Sequence, residues 1–144
     1  MVRSESGRKR VCFVGCGKIA AVHARNLKGQ VDLCFCSRSR SSAEELNAST
    51  GGTGVFDSFD EMLDSSVKAA AVCSPPEHHA EQVVRLLGAG KSVMVEKPMC
   101  ASADEVEEIE GTAPAHVAIV DGDQRFEILI DDLIDYSGEL DTPE

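Results

Sequence analysis

Val11-Cys12-Phe13-Val14-Gly15-Cys16-Gly17-Lys18-Ile19-Ala20 is the stretch that decides the reading of this chain. Four apolar residues give way to two glycines, and apolar positions then return with helical spacing, so the stretch reads as strand, tight turn and helix. A parallel strand that enters a helix through Gly-x-Gly leaves the first-turn backbone N–H groups without helical partners and open to close approach. With the helix dipole, those donors favour an anion such as a pyrophosphate. The spacing Gly15-x-Gly17-x-x-Ala20 fits the dinucleotide fingerprint in its alanine-ended form, because a methyl group still permits close packing of helix on strand. An ordinary Gly-containing strand–helix turn has the same local pattern, so the rest of the chain must decide between the two.

Outward from this turn, strand-like and helix-like segments alternate with short connections, the pattern of a parallel sheet covered on both faces. A helix is expected over about 19–27 and a second strand over 31–36. Ser41, with Glu44 three residues on, has capping-box spacing and is expected to open a helix that Gly51-Gly52 ends. A short strand near 54–56 leads to Ser58 and Glu61 at the same spacing, with Phe59, Met62 and Leu63 on one face. A fourth strand, 69–73, stops at Pro75-Pro76, and the following helix carries Ala80, Val83, Val84 and Leu87 at i, i+3, i+4 and i+7 before Gly88. Residues 92–95 read as a fifth strand, Ser102 with Glu105 opens another helix bearing Val106 and Ile109, and 117–120 read as a sixth strand. The fold class expected is α/β, a Rossmann-type doubly wound parallel sheet.

Length and charge narrow the function. The 144 residues make about one domain, long enough for a substantial core, and no apolar run approaches the roughly 20 residues of a membrane span. Met1 to Arg10 is basic without an apolar signal-peptide core, so a cytoplasmic location is expected. The net charge of −11 is uneven: residues 1–72 carry 8 acidic and 10 basic side chains, residues 73–144 carry 17 and 4. Such a surface disfavours a nucleic-acid partner, which needs a clustered basic face. Of six cysteines, Cys12, Cys34, Cys36 and Cys73 fall in apolar strand-like runs and read as small core residues; no metal site is expected.

In an open parallel sheet ligands bind beyond the carboxyl ends of the strands, so the strand exits are the positions to read. The second strand exits at Ser37-Arg38-Ser39-Arg40, about where an NAD site carries an acid for the ribose 2′-hydroxyl. No acid stands there, and a hydroxyl followed by guanidinium groups suits a 2′-phosphate instead. The fourth strand exits at Ser74-Pro75-Pro76 and the fifth at Glu96-Lys97-Pro98.

Three motifs together resemble the GFO/IDH/MocA family, the glucose-fructose oxidoreductase and inositol dehydrogenase group of nicotinamide-dependent sugar and polyol oxidoreductases. They are Gly15-Cys16-Gly17-Lys18-Ile19-Ala20 with His23 after it, Ser74-Pro75-Pro76-Glu77-His78-His79-Ala80-Glu81, and Gly90-Lys91-Ser92-Val93-Met94-Val95-Glu96-Lys97-Pro98. The resemblance runs in register from about Val11 to Ile109, then through Gln124-Arg125-Phe126 to Ser137-Gly138-Glu139-Leu140. It implies an NAD(P)-binding domain over residues 1–120 and, over 121–144, the start of a second, substrate-binding domain. By the same resemblance Lys97 is the catalytic residue, beside the nicotinamide and the substrate hydroxyl. Gly15, Cys16, Gly17, Lys18, Ile19, Ser37, Arg38, Ser74, Pro75, His79, Glu96, Lys97 and Arg125 are the expected cofactor contacts, with NADP preferred over NAD. His78 and His23 are expected to be structural or exposed. Asp123 stands where the family often has asparagine before x-Arg-Phe, and most of the family's second domain, with the aspartate and histidine of proton transfer, has no counterpart here.

Two functional classes follow. One is an oxidoreductase of a sugar, polyol or related hydroxy compound, present as its nucleotide-binding domain; the other is a non-catalytic NADP-binding module or truncated remnant. Last, Phe126, Leu129, Ile130, Leu133 and Ile134 fall at i, i+3, i+4, i+7 and i+8, so residues 126–136 are expected to form a helix. Its apolar stripe would fold back on the domain or form a homodimer or partner-chain contact.

Overall fold

The computed structural model describes residues 8–97, 100, 102–111, 116–121 and 124–129. Strands and helices alternate: β1 (Arg10–Val14), α1 (Lys18–Leu27), β2 (Asp32–Cys36), α2 (Arg40–Thr50), β3 (Gly54–Val55), α3 (Phe59–Asp64), β4 (Ala69–Val72), α4 (His79–Gly88), β5 (Ser92–Glu96), α5 (Ala103–Glu110), β6 (His116–Asp121) and β7 (Gln124–Leu129). A single 3-10 turn, Pro76–His78, precedes α4. The strands form one sheet in the order β3-β2-β1-β4-β5-β6-β7. The first six are parallel, β7 runs antiparallel to β6, and the order reverses beside β1, as in doubly wound nucleotide-binding sheets.

Alternation along the strands divides the core between the two faces. Phe13, Leu33, Phe35 and Ala71 point to one side and are sealed by Ala20 and Ala24 of α1 with Ala43 and Leu46 of α2. Phe13 and Phe35 are register partners on β1 and β2, and their rings stack with centroids 5.9 Å apart. Cys12, Val14, Cys34, Cys36, Val72, Val93 and Val95 point to the other side, under Met62 of α3, Val83, Leu86 and Leu87 of α4, and Val106 and Ile109 of α5. Fully burying each large side chain in these layers contributes about 1.5–3 kcal/mol. All-buried β2 and the Ala-rich β4 fit strands covered by helices on both faces.

Helix ends follow the expected chemistry with one shift. Ser58 and Ser102 cap α3 and α5 by accepting from the backbone N–H of Glu61 and Glu105. In α2 the cap is Ser39 rather than Ser41, with its hydroxyl oxygen accepting from the Ser42 N–H, and Glu44 pairs with Arg40 instead of closing a box. Gly51 ends α2 at φ 68°, the left-handed conformation that favours glycine at this position.

The expected helix from Phe126 is corrected by the structure. Residues 124–129 form β7, paired with β6 from Asp121↔Gln124 to His116↔Leu129. The period-two pattern Arg125-Phe126-Glu127-Ile128 competes with the helical stripe, and the open edge of β6 supplies backbone partners that a short isolated helix lacks. Gly122-Asp123 between two strand-like runs is also hairpin composition. The rest of the expected helix, 130–136, lies outside the described residues, as do 1–7, Pro98 and 137–144.

Candidate functional site

The exits of β1, β2 and β4 open on one cleft of about 850 Å³. Its floor is the Gly15-Cys16-Gly17 turn, pinned from both neighbouring strands. The Gly15 N–H donates to the Cys36 carbonyl at 2.9 Å, and the Cys73 N–H donates to the Val14 carbonyl at 2.8 Å. Gly15 sits at φ 90°, and a Cβ there would lie 2.5 Å from the Ser74 nitrogen, so this glycine is demanded by both conformation and contact. Gly17 differs. It is the N-cap of α1 with φ −87°, no side-chain cap and no acidic residue in the first turn, and a Cβ on it would meet nothing within 4 Å. The N–H groups of the first turn of α1 therefore face open cleft, with Lys18 and Ile19 in its wall.

At the β2 exit the Ser37 hydroxyl accepts from the Ser39 N–H at 3.1 Å, and the hydroxyls of Ser39 and Ser42 stand 2.9 Å apart. Arg38 is exposed and lines the cleft, and among the described residues its guanidinium makes no hydrogen bond or ion pair. Arg40 is engaged: its Nε donates to Glu44 Oε1 at 2.8 Å and its Nη1 pairs with Asp57. Of the two guanidinium groups at this exit, Arg38 is the one available to an anion.

At the β4 exit Ser74 and Pro75 line the cleft, and Ser74 is held from α4 at two points. Its hydroxyl donates to Gln82 Oε1, and its carbonyl meets His79 Nε2 at 2.7 Å. His79 is 1% exposed and absent from the cleft wall, so it supports the Ser74 turn from beneath. His78 lines the cleft in its place, with Glu81, Gln82 and Arg85. These four fall at i, i+3, i+4 and i+7, a polar stripe of helical period opposite the apolar one. The periodicity that located the core face also contained this stripe. Asp57, Ser58 and Phe59 close the outer wall, where the Arg85 guanidinium lies 5.1 Å above the Phe59 ring and pairs with Asp60. The strand-exit rule applied to β3 leads to Asp57 and Ser58.

Glu96 and Lys97 stand at the next exit, β5, and are not part of the cleft wall. Glu96 Oε2 accepts from the Lys97 backbone N–H at 3.1 Å, and Glu96 Oε1 lies 2.7 Å from His23 Nε2. His23, expected to be structural or exposed, is 9% exposed and paired. Arg125 lies in β7 opposite Val120; its side chain lies outside the described residues.

Three thiols, Cys16, Cys36 and Cys73, line the cleft. Burial pushes Cys16 and Cys73 up to about 12 and Cys36 up to about 11, with neighbouring thiols and Glu96 adding to the effect. At neutral pH they are protonated, weakly polar packing groups rather than nucleophiles. Among the described residues no group of three or more His, Cys, Asp or Glu is placed to hold a metal ion, and no helix is long and apolar enough to cross a membrane.

This geometry fits a dinucleotide: an open helix N-terminus that suits a pyrophosphate and an available guanidinium at the β2 exit, both in the wall of one cleft. Solved structures share this fold. The WlbA dehydrogenase of Chromobacterium violaceum, in complex with NADH and UDP-GlcNAcA, superposes with a TM-score of 0.71 at 25% identity, covering 83% of this chain and 37% of that one. A 3-ketoreductase from Actinomadura kijaniata, in complex with NADP, gives 0.63 at 29% identity, covering 72% and 33%. Among curated proteins, myo-inositol 2-dehydrogenase of Thermotoga maritima is 31% identical over 124 residues, 82% of this chain and 37% of that protein. The chain spans about a third of the length of the curated relatives it matches. The model of the oxidoreductase family with an NAD-binding Rossmann fold matches residues 9–121, and the chain belongs to this GFO/IDH/MocA family.

Proposed function

We propose that the chain is the nucleotide-binding part of an NAD(P)-dependent oxidoreductase that acts on the CH–OH group of a sugar, polyol or related hydroxy compound, with NADP as the preferred cofactor. The observation that carries the reading is the first turn of α1, uncapped and open above Gly17, with Arg38 available at the β2 exit of the same cleft. In this reading the α1 N–H groups hold the pyrophosphate, and Ser37 and Arg38 bind the 2′-phosphate. Ser74 and Pro75 flank the cofactor on the β4 side, held by His79 and Gln82.

A nicotinamide cofactor held at these residues would supply hydride exchange with the carbinol carbon of the substrate. Lys97 at the β5 exit would hydrogen-bond the substrate oxygen and take or return its proton as the carbonyl forms or is reduced. It stands beyond the carboxyl end of β5, one strand from the β1/β4 order reversal, on the side of the sheet where such folds bring ligands. The relatives' roles as inositol and sugar-nucleotide enzymes support the substrate class.

The test is to titrate the 144-residue polypeptide with NADPH and NADH, and to assay it with inositols and aldoses. Binding with little or no turnover is expected, because the resemblance assigns part of proton transfer to a second domain. Failure to bind either cofactor overturns the reading. Turnover that disappears in Lys97→Ala would show that these residues suffice as an enzyme.

A further inference from the structure

We propose that His23 and Glu96 form a positioning pair that fixes the backbone of Lys97 and makes its placement depend on the charge of His23. The inference deepens the reading of Lys97 above and rests on it. Glu96 is the last residue of β5, and its carboxylate receives two donors: His23 Nε2 of α1 at 2.7 Å and the Lys97 backbone N–H at 3.1 Å. The His23 and Glu96 side chains are only 11% and 13% exposed. In that setting a carboxylate needs its donors, and an ionised Glu96 requires the proton to sit on His23 Nε2.

The consequence is mechanical and electrostatic. A side chain that accepts the N–H of the following residue closes a small ring, which restricts the backbone where the chain leaves the sheet. His23 belongs to the helix whose first turn faces the candidate pyrophosphate site, so the pair joins the cofactor helix to the β5 exit 73 residues away. Among the described residues the other titratable groups around it are few. Cys73, beyond β4, is pushed up by burial, Glu96 and Cys16, and stays protonated at neutral pH. On α1, the positions a turn away from His23 are Ile19, Ala20, Asn26 and Leu27, none of them charged. Lys97 itself is exposed. Protonation of His23 turns a neutral hydrogen bond to Glu96 into an ion pair, draws the carboxylate toward α1 and weakens its hold on the Lys97 N–H.

The ¹H–¹⁵N resonance of the Lys97 amide in the full chain reads this directly. In the wild type it should shift in one step with the same midpoint as the His23 ring. The step should vanish in His23→Gln, which keeps an N–H donor but cannot titrate, and in Glu96→Gln, which removes the charge. A Lys97 amide unmoved through the His23 titration, or a step that survives in either folded variant, overturns the pair. Should a variant fail to fold, the wild-type titration alone decides. Titration of the same wild-type sample with NADPH and NADH separates the two claims: no binding overturns the oxidoreductase reading, whereas binding with an unmoved Lys97 amide overturns only the pair.

Discussion

The Cα of Gly15 packs against the backbone of Ser74 so closely that a Cβ at Gly15 would stand 2.5 Å from the Ser74 nitrogen and 2.6 Å from its Cα. The turn at the β1 exit is thus shaped by the β4 exit before any cofactor enters.

Gly15→Ala should destabilise the fold. The left-handed φ of 90° costs an alanine about 1–3 kcal/mol, and the clash is with backbone, which cannot rotate away. Urea unfolding should show a loss on the order of 2–4 kcal/mol. A change below about 0.5 kcal/mol would mean that the turn relaxes freely.

Gly17→Ala should separate binding from stability. Its backbone is in an ordinary region and its Cβ would project into open cleft, so stability should move by no more than about 1 kcal/mol. Affinity for reduced cofactor should fall about tenfold or more, because the methyl group occupies the space above the first turn of α1. Unchanged affinity by fluorescence titration would place the pyrophosphate elsewhere.

Ser39→Ala should cost about 1 kcal/mol through loss of the α2 cap, while Ser41→Ala should cost much less. Paired melting curves check this, and equal losses would contradict the assignment of the cap to Ser39.

Stability should decline in alkali. Burial raises the thiols of Cys12, Cys16, Cys36, Cys73 and Cys100 above the ordinary value of 9.0. A group raised in the folded state gives stability that is full below its unfolded value and is lost as pH climbs through the folded value, here from about 9 to about 11 or 12. Buried Lys91, lowered by desolvation, works in the opposite direction below 10.5, but it is one group against five. Urea midpoints should therefore fall above about pH 9, and Cys16→Ala/Cys73→Ala should flatten the decline. A midpoint that rises over this range contradicts the account.

Much of this was legible in the sequence because the signals are local. Gly15-x-Gly17, the strand exits at Ser37-Arg38 and Ser74-Pro75, and the stripe Ala80-Val83-Leu87 each express a nearest-neighbour rule of strand, turn or helix, and the elements over residues 10–96 follow them, apart from the α2 cap at Ser39 in place of Ser41. Two features were not local. The His23–Glu96 pair joins side chains 73 residues apart, and nothing at either position announces the other. Phe126–Leu129 carries both a helical and an alternating pattern, and the open edge of β6 decides for the strand. His79 shows a third limit: its motif marks its neighbourhood, yet a rotation of one residue puts His78 on the cleft and His79 beneath it.

The most direct test of the central claim is the affinity of the chain for NADPH against NADH, measured by fluorescence for the wild type and for Arg38→Ala. A guanidinium–phosphate contact contributes about 1.5–3 kcal/mol, so the wild type should bind NADPH roughly tenfold or more tightly than NADH. In Arg38→Ala that preference should disappear while NADH affinity stays the same. NADH bound as tightly as NADPH by the wild type, or a preference that survives in Arg38→Ala, would contradict the role given to the β2 exit.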